Sequence, residues 1–199
     1  MRHPVQPRPL ILASTSPRRR ELLAEHGYEF EAAAPPFEEL ESLPHVTPVA
    51  HAESLAYFKA ASVSRGRPDA TVIGADTIAT IDGEIIGKPR DRADARRILT
   101  TLAGASHQVI TGVALVSEKD SRRWIDHAVT TIRVRPLSRE MIESYLDTGL
   151  WEGKAGAYGI QDKGDPFVEA IDGSFSNVVG LPMELLARGL RAWGGRLCA

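Results

Sequence analysis

The sequence predicts a mixed α/β fold in which a central sheet is flanked by helices, with hairpins in the second half of the chain. Strand-like and helix-like segments alternate through the first half, as in sheets that are covered by helices. In the second half, apolar runs flank turn sequences such as Asp172-Gly173, which indicates hairpins. The chain has 199 residues, of which 43% are hydrophobic, so one domain over residues 1–199 is expected.

The first half of the chain begins with an apolar run, PLILAST (residues 9–15), which predicts a buried strand. Ser16 and Pro17 then supply an N-cap and a proline at the first helical position, and Gly27 ends the predicted helix. The other elements expected in this half are a strand over 30–34, a helix over 47–64 and a buried strand over 70–75.

The second half is expected to alternate between hairpins and amphipathic helices. Hairpins are predicted over residues 78–86, turning at Asp82-Gly83, and over 167–179, turning at Asp172-Gly173. The remaining elements are strands over 107–117 and 127–134 and helices over 91–102, 138–147 and 182–193.

Composition excludes several classes of function. The formal net charge is −2 and the sequence pI is about 6.3, so no basic field is present to attract nucleic acid or an anionic membrane. Cys198 is the only cysteine, which excludes a disulfide framework and a cysteine zinc site. No apolar run approaches the ~20 residues that span a bilayer, and the start of the chain lacks a signal-peptide core. A cytoplasmic protein is expected.

The segment STSPRRR (residues 14–20) is the first candidate for chemistry. It places hydroxyl groups and arginines where a strand ends and a helix begins. The N–H groups and the dipole at a helix start bind phosphate, whereas cations are unfavourable there unless an anion is bound. The alternative is an ordinary N-cap followed by a solvated basic turn. Ser16 and Arg19 are therefore candidate phosphate ligands.

Two further candidates follow the predicted strands. Asp76 comes directly after the strand over 70–75, which would place it at the carboxyl end, where ligands collect in α/β sheets. Lys88 follows the hairpin in Gly87-Lys88-Pro89 and could project a charge into the same cleft, although this tripeptide is not a P-loop.

In KAGAYGIQ (residues 154–161), small residues permit close backbone approach, and Lys154, Tyr158 and Gln161 could present polar groups to a ligand.

Taken in chain order, these stretches resemble the Maf family of nucleoside triphosphate pyrophosphatases. The matching segments, spread over almost the whole chain, are LILASTSPRRRELL from Leu10, VIGADTI from Val72, GEIIGKPRD from Gly83, LAGASHQVITGV from Leu102, KAGAYGIQ from Lys154 and VVGLP from Val178. The resemblance implies a Maf/inosine-triphosphatase-like fold. It also implies a metal-dependent cytoplasmic hydrolase, often dimeric, that cuts nucleotides between the α and β phosphates.

The resemblance also implies roles for individual residues. Asp76 matches the essential acidic residue, described as the proton acceptor, and we expect it to be a metal ligand as well. Glu39 matches the second metal carboxylate, with Glu38 as the alternative one position earlier. Arg19 and Lys88 match phosphate-contacting residues, and Lys59 matches a lysine of the same cleft. We expect all three to bind phosphate. The expected cofactor is Mg²⁺ or Mn²⁺, and our hypothesis is that Glu39 and Asp76 hold it.

Within the family, the chain is similar to the branch that acts on dTTP and UTP. The similarity lies at three discriminating positions, Arg18, Thr77 and Gln161. Uracil and thymine present an N3–H donor between two carbonyl acceptors, which a glutamine amide complements through both its oxygen and its nitrogen. The branch that acts on 7-methyl-GTP typically has tryptophan at the first of these positions.

The predicted mechanism uses a negatively charged carboxylate and several positively charged groups. Asp76 orients the attacking water, while Arg19, Lys88 and the helix start at Ser16 neutralise charge on the leaving pyrophosphate. Three alternatives remain open at this stage: a nucleotide-binding regulator linked to cell division that does not cut its ligand, a pyrophosphatase of modified purine or 7-methyl-guanine nucleotides, and a phosphotransferase. The absence of a P-loop disfavours the phosphotransferase.

Overall fold

The computed structural model describes residues 6–7, 9–36, 46–160 and 167–194. The strands are β1 (Leu10–Ala13), β2 (Glu31–Ala33), β3 (Thr71–Ile81), β4 (Glu84–Ile86), β5 (Ser106–Ser117), β6 (Arg122–Val134) and β7 (Val168–Asp172). The helices are α1 (Pro17–Glu25), α2 (Pro48–Ser64), α3 (Arg92–Leu102), α4 (Arg139–Asp147), α5 (Phe175–Val179) and α6 (Met183–Gly194), with a 3₁₀ turn at Ala155–Ala157.

All seven strands belong to one mixed sheet, which confirms the predicted fold class. The strand order is β2-β1-β3-β5-β6-β7, and β4 pairs with β3. Strand β1 runs parallel to β2 and β3, whereas the other pairs are antiparallel. Helices cover both faces of the sheet, as two successive residues of β1 show. Leu12 belongs to the cluster that contains Leu23 of α1 and Leu186 of α6. Ile11, on the opposite face, packs with Ala56 of α2.

The predicted helix starts are confirmed by their caps. The Ser16 hydroxyl accepts a hydrogen bond from the Arg19 N–H, and Thr47, Asp91 and Ser138 cap α2, α3 and α4 in the same way. The β3–β4 turn is also confirmed, since Asp82 and Gly83 both have positive φ, as a two-residue type I′ hairpin turn requires. Among the described helices, none is long and apolar enough to cross a membrane.

The predicted hairpin over residues 167–179 is wrong in its second half. Residues 168–172 form β7, but Phe175–Val179 is the helix α5. The Ser174 hydroxyl caps this helix by accepting from the Asn177 N–H, and Gly180, with φ of 121°, ends it. A short apolar run fits a strand or a helix equally well, and here the cap and the glycine decide for the helix.

The predicted position of Asp76 at the end of a strand is also wrong. Strand β3 continues to Ile81 because β5 pairs with it from Val72 to Thr80. On the other side of β3, β1 pairs only as far as Gly74, and β4 pairs only from Ala79. Asp76 therefore lies inside a strand, at a gap between two partner strands, and this gap gives access to it.

Two glycines bring α2 unusually close to the sheet. A Cβ atom on Gly74 would lie 2.0 Å from the Ala56 carbonyl oxygen, and one on Gly112 would lie 2.4 Å from the Ala52 carbonyl oxygen. Gly112 pairs with Asp76 across β3 and β5. The backbone of α2 thus lies directly against the part of the sheet that carries Asp76, and a larger side chain at either position would push it away.

Candidate functional site

A cleft with a volume of about 860 Å³ opens at the gap in the sheet beside Asp76. Its walls come from the β1–α1 junction, α2, the middle of β3, the segment after β4, the 3₁₀ turn and the end of α5. The predicted residues that line it are Ser16, Arg18, Arg19, Lys59, Asp76, Thr77 and Lys88. The structure therefore brings together residues from four separate parts of the sequence in one groove.

Asp76 and Lys59 form a buried ion pair in the wall of this cleft. The Lys59 Nζ atom lies 2.6 Å from Asp76 Oδ1, and the two residues are only 4% and 6% exposed. Among the described residues, no side chain donates a hydrogen bond to the second oxygen, Oδ2. An ion pair removed from water is held in one geometry, so Lys59 fixes the orientation of the carboxylate.

The close approach of α2 explains why these two charges meet. Ala56 and Ala60 of α2 lie against Gly74, and Lys59, between them in sequence, reaches along β3 to Asp76, two residues beyond Gly74 on the same face of the strand. The pair is therefore a consequence of helix–sheet packing. Its sequence separation of 17 residues carries no periodic signal.

Arg19 reaches the cleft on the opposite face of the sheet from Asp76. Its Nε donates to the Gly180 carbonyl oxygen at 2.8 Å, and its Nη2 donates to the Thr77 hydroxyl at 3.0 Å. A longer contact of 3.4 Å joins Nη1 to the Ser14 hydroxyl. Arg19 thus links the start of α1, strand β3 and the residue that follows α5, which places its guanidinium at a fixed position in the wall of the cleft.

The remaining predicted residues divide into two groups. Arg18 and Lys88 are exposed at the cleft, and Ser16, half-buried, uses its hydroxyl as the N-cap of α1. Glu39, its alternative Glu38, and Gln161 lie outside the described residues. The loop before Gln161 does line the cleft, through Lys154, Tyr158 and Gly159 among others.

Sequence reasoning missed two arginines at the edge of the cleft. Arg97 donates to Asp94 Oδ1 through Nε at 3.0 Å and Nη2 at 2.8 Å, and the Arg90 backbone N–H donates to Asp94 Oδ2. These hydrogen bonds hold the pKa of Asp94 below its usual value, and those from the Arg97 guanidinium have the largest effect. The spacing of three residues between Asp94 and Arg97 on a predicted helix could have indicated the pair.

Two buried histidines also line the cleft. His51 is on α2 and His107 is on β5, and each has an Nδ1 atom that is buried without a hydrogen-bond partner. The His107 Nε2 atom lies 2.9 Å from the Tyr158 hydroxyl, and the two rings meet edge to face. His107 thus fixes the ring of Tyr158, the tyrosine of the predicted ligand loop, against the wall of the cleft.

We expect the stability of the protein to fall as the pH is lowered from 6.5 to 4 because of His107. Burial lowers its pKa from 6.5 to about 4. In that range the unfolded chain takes up a proton that the folded protein does not, which favours unfolding by up to about 3 kcal/mol. Urea unfolding at pH 7.5 and pH 5 should show a smaller decrease for His107→Gln than for the wild-type protein. Equal decreases in both would contradict this assignment.

A separate cluster of metal-ligand residues lies outside the residues that line the cleft. Glu53, Asp126 and His127 have ligand atoms within 4.8 Å of one another. Each of the three residues already has a partner within the protein, since His127 Nδ1 lies 2.9 Å from Glu53 Oε1 and the Arg188 guanidinium donates to Asp126 at 2.8 Å. Hydrogen bonds and ion pairs within the protein account for this cluster.

Comparison with known proteins identifies relatives along nearly the whole chain. The family model described as Maf-like protein matches residues 9–193. The dTTP/UTP pyrophosphatase of Symbiobacterium thermophilum is 46% identical over 185 residues, which cover 93% of this chain and 94% of that protein. The dTTP/UTP pyrophosphatase of Moorella thermoacetica is 45% identical over 190 residues, covering 93% and 97%.

Among solved structures, the Staphylococcus aureus Ham1 protein matches with a TM-score of 0.46 and 14% identity, covering 64% of this chain and 72% of its own. The family match and the identities of the curated relatives agree with the six co-ordered sequence segments from Leu10 to Pro182. This chain belongs to the Maf family.

Proposed function

We propose that this protein hydrolyses nucleoside triphosphates, with dTTP and UTP as its main substrates, to a nucleoside monophosphate and pyrophosphate. The observation that carries the proposal is the cleft itself, in which one buried carboxylate, Asp76, lies among the cations Arg18, Arg19, Lys59 and Lys88. A triphosphate is an anion whose charge complements such a set of cations.

The carboxylate favours hydrolysis over mere binding. A site that only binds an anion gains nothing from a negative charge beside the phosphates, and Asp76 would weaken binding unless it has a further task. Asp76 is also held by Lys59 at 2.6 Å, so its orientation is fixed before a nucleotide arrives. This arrangement supports an enzyme over the alternative of a non-catalytic nucleotide-binding regulator.

The chemistry of Asp76 fits a divalent metal. Mg²⁺ and Mn²⁺ prefer oxygen ligands, and Asp76 lines the cleft with one carboxylate oxygen that receives no hydrogen bond from a described side chain. We assign Asp76 as a metal ligand, together with Glu39, or Glu38, from the segment outside the described residues. When bound, the ion polarises the phosphoryl group and neutralises its charge.

Each group of residues in the cleft has a separate role in the hydrolysis. Asp76 orients a water molecule for attack on the α-phosphorus and accepts its proton. Lys59 keeps that carboxylate in place. The cations Arg18, Arg19 and Lys88, with the N–H groups at the start of α1, hold the β and γ phosphates and stabilise the pyrophosphate as it leaves.

The preference for dTTP and UTP rests on two supports. The curated relatives described above carry that activity in their names. Arg18, Thr77 and Gln161 also match the residues that distinguish this branch of the family. We assign Gln161 to the pyrimidine base because an amide complements the N3–H donor and its neighbouring carbonyl acceptor. The same assignment disfavours modified purine or 7-methyl-guanine nucleotides as main substrates.

The test is incubation of the pure protein with dTTP, UTP, CTP, dATP, GTP and 7-methyl-GTP in the presence of Mg²⁺ or Mn²⁺, followed by separation of the products. We expect monophosphate and pyrophosphate from dTTP and UTP, and loss of turnover when the metal is removed by a chelator. Diphosphate with inorganic phosphate would contradict cleavage at the α–β linkage. Binding without any turnover would favour the regulator, and faster turnover of 7-methyl-GTP would favour the other branch.

A further inference from the structure

A series of three polar groups, two hydroxyls and one carbonyl, leads from Arg19 into the interior of the protein. Arg19 Nη2 donates to the Thr77 hydroxyl at 3.0 Å. The Thr77 hydroxyl lies 2.9 Å from that of Thr111 on β5, and the Thr111 hydroxyl donates to the Asn177 carbonyl oxygen at 3.0 Å. Thr111 is fully buried. A continuous path of hydrogen bonds therefore joins a proposed phosphate ligand to the last turn of α5.

The direction of this path follows from counting protons. A threonine hydroxyl has one proton to donate, and that of Thr111 is used on the Asn177 carbonyl oxygen. The bond between the two threonines must then be donated by Thr77, whose alternative acceptor, the Gly180 carbonyl oxygen, is farther away at 3.4 Å. The sequence of donors is Arg19, Thr77, Thr111, and the final acceptor is a carbonyl. Hydrogen bonds aligned in one direction polarise and strengthen one another.

The far end of the path is firmly anchored. Asn177 is fully buried, and its amide nitrogen donates to the Val109 carbonyl oxygen at 3.0 Å and to the Thr130 hydroxyl at 2.9 Å. Thr130 in turn donates to the Ser174 carbonyl oxygen at 3.1 Å. The segment that carries α5 is thus hydrogen-bonded to β5 and β6 at several points.

We propose that Thr111 and Thr77 are positioning residues for Arg19, a role that rests on the proposed function of the cleft. Thr77 accepts from Arg19 and donates to Thr111, so its only hydroxyl proton and one acceptor position are engaged within the protein, and we expect it to act through the arginine. Together with the Gly180 carbonyl, which accepts from Arg19 Nε at 2.8 Å, it sets the plane of the guanidinium. A guanidinium fixed before the substrate arrives needs no reorganisation as charge develops on the leaving pyrophosphate.

The first test compares Thr111→Val with Thr130→Val. Both residues are fully buried threonines that hydrogen-bond to Asn177, but of these two only Thr111 contacts Thr77. Each variant loses buried hydrogen bonds, so both should have a lower melting temperature. Only Thr111→Val should lower kcat/KM for UTP, by roughly tenfold, whereas Thr130→Val should stay within about twofold of the wild-type value. Equal kcat/KM for the two variants would overturn the proposal.

The second test is a double-mutant cycle with Arg19→Met. If Thr111 acts through Arg19, the roughly tenfold loss caused by Thr111→Val should shrink to about twofold or less when Arg19 is already replaced. The decrease in melting temperature should persist in both backgrounds, because it reflects buried hydrogen bonds. Losses in kcat/KM that simply multiply would show independent roles and refute the assignment.

A third comparison separates this inference from the proposed function. Thr77→Ser keeps the hydroxyl and should retain most of the activity, whereas Thr77→Val should behave as Thr111→Val does, with no change in the preference for UTP over CTP. A changed preference would assign Thr77 to the base instead. The double-mutant cycle of Arg19→Met and Thr111→Val is also measured on the Kd of α,β-methylene-UTP, a measurement that requires no turnover. If the wild-type protein hydrolyses no nucleotide, the proposed function fails, while coupling between Arg19 and Thr111 in this Kd would still support the inference.

Discussion

Asp76→Asn should reduce kcat by roughly 10³-fold or more while UTP binding remains measurable. The substitution keeps the size of the side chain but removes the charge that orients water and that a divalent ion requires, and such groups contribute several kcal/mol to transition-state stabilisation. Single-turnover assays with UTP and calorimetric binding measurements would separate the two effects. Near-normal turnover would remove Asp76 from the centre of the mechanism.

The same substitution should also destabilise the fold, and this needs a control. It removes the carboxylate charge that lies 2.6 Å from the buried Lys59 ammonium, and breaking a buried ion pair from one side costs about 3–5 kcal/mol. The double variant Asp76→Asn/Lys59→Gln removes both charges and should recover most of the stability but none of the activity. Recovery of turnover in the double variant would mean that Asp76→Asn was inactive only because it was unfolded.

Gly112→Ala should be one of the most destabilising single-methyl additions in the protein. The new Cβ would lie 2.4 Å from the Ala52 carbonyl oxygen and 2.6 Å from the Glu53 backbone nitrogen, and backbone atoms of a helix cannot move aside singly. Helix α2 must shift as a unit, at a cost of about 3 kcal/mol or somewhat more. Because α2 carries Lys59, activity should fall together with the melting temperature.

The matched control is Gly66→Ala, just beyond the end of α2. A Cβ there would meet only the Val63 carbonyl oxygen, at an ordinary distance of 3.7 Å, so stability should change by less than about 1 kcal/mol. Thermal unfolding and UTP turnover of both variants provide the comparison. A Gly112→Ala protein with wild-type stability would show that α2 does not need its close contact with the sheet.

Local sequence chemistry was sufficient for most elements of the fold. The helix starts near Ser16, Thr47, Asp91 and Ser138 and the turn at Asp82-Gly83 depend on signals within a few residues, and the structure confirms each of them. Two of the errors arose where a local signal is ambiguous. Residues 175–179 are too short for periodicity to distinguish a helix from a strand, and the end of β3 depends on how far β5 pairs with it.

The sequence by itself determined the mixed α/β class, the order of the motifs, and the residue types that suit a nucleotide: hydroxyls and arginines at a helix start, one carboxylate, and a lysine after a hairpin. Only the tertiary structure decided how these groups meet. Lys59 reaches Asp76 because glycines at 74 and 112 let a helix backbone lie against the sheet, and Arg19 is fixed by groups on β3 and after α5. Contacts between residues 58 or 161 positions apart depend on packing and strand pairing, which no local pattern in the chain encodes.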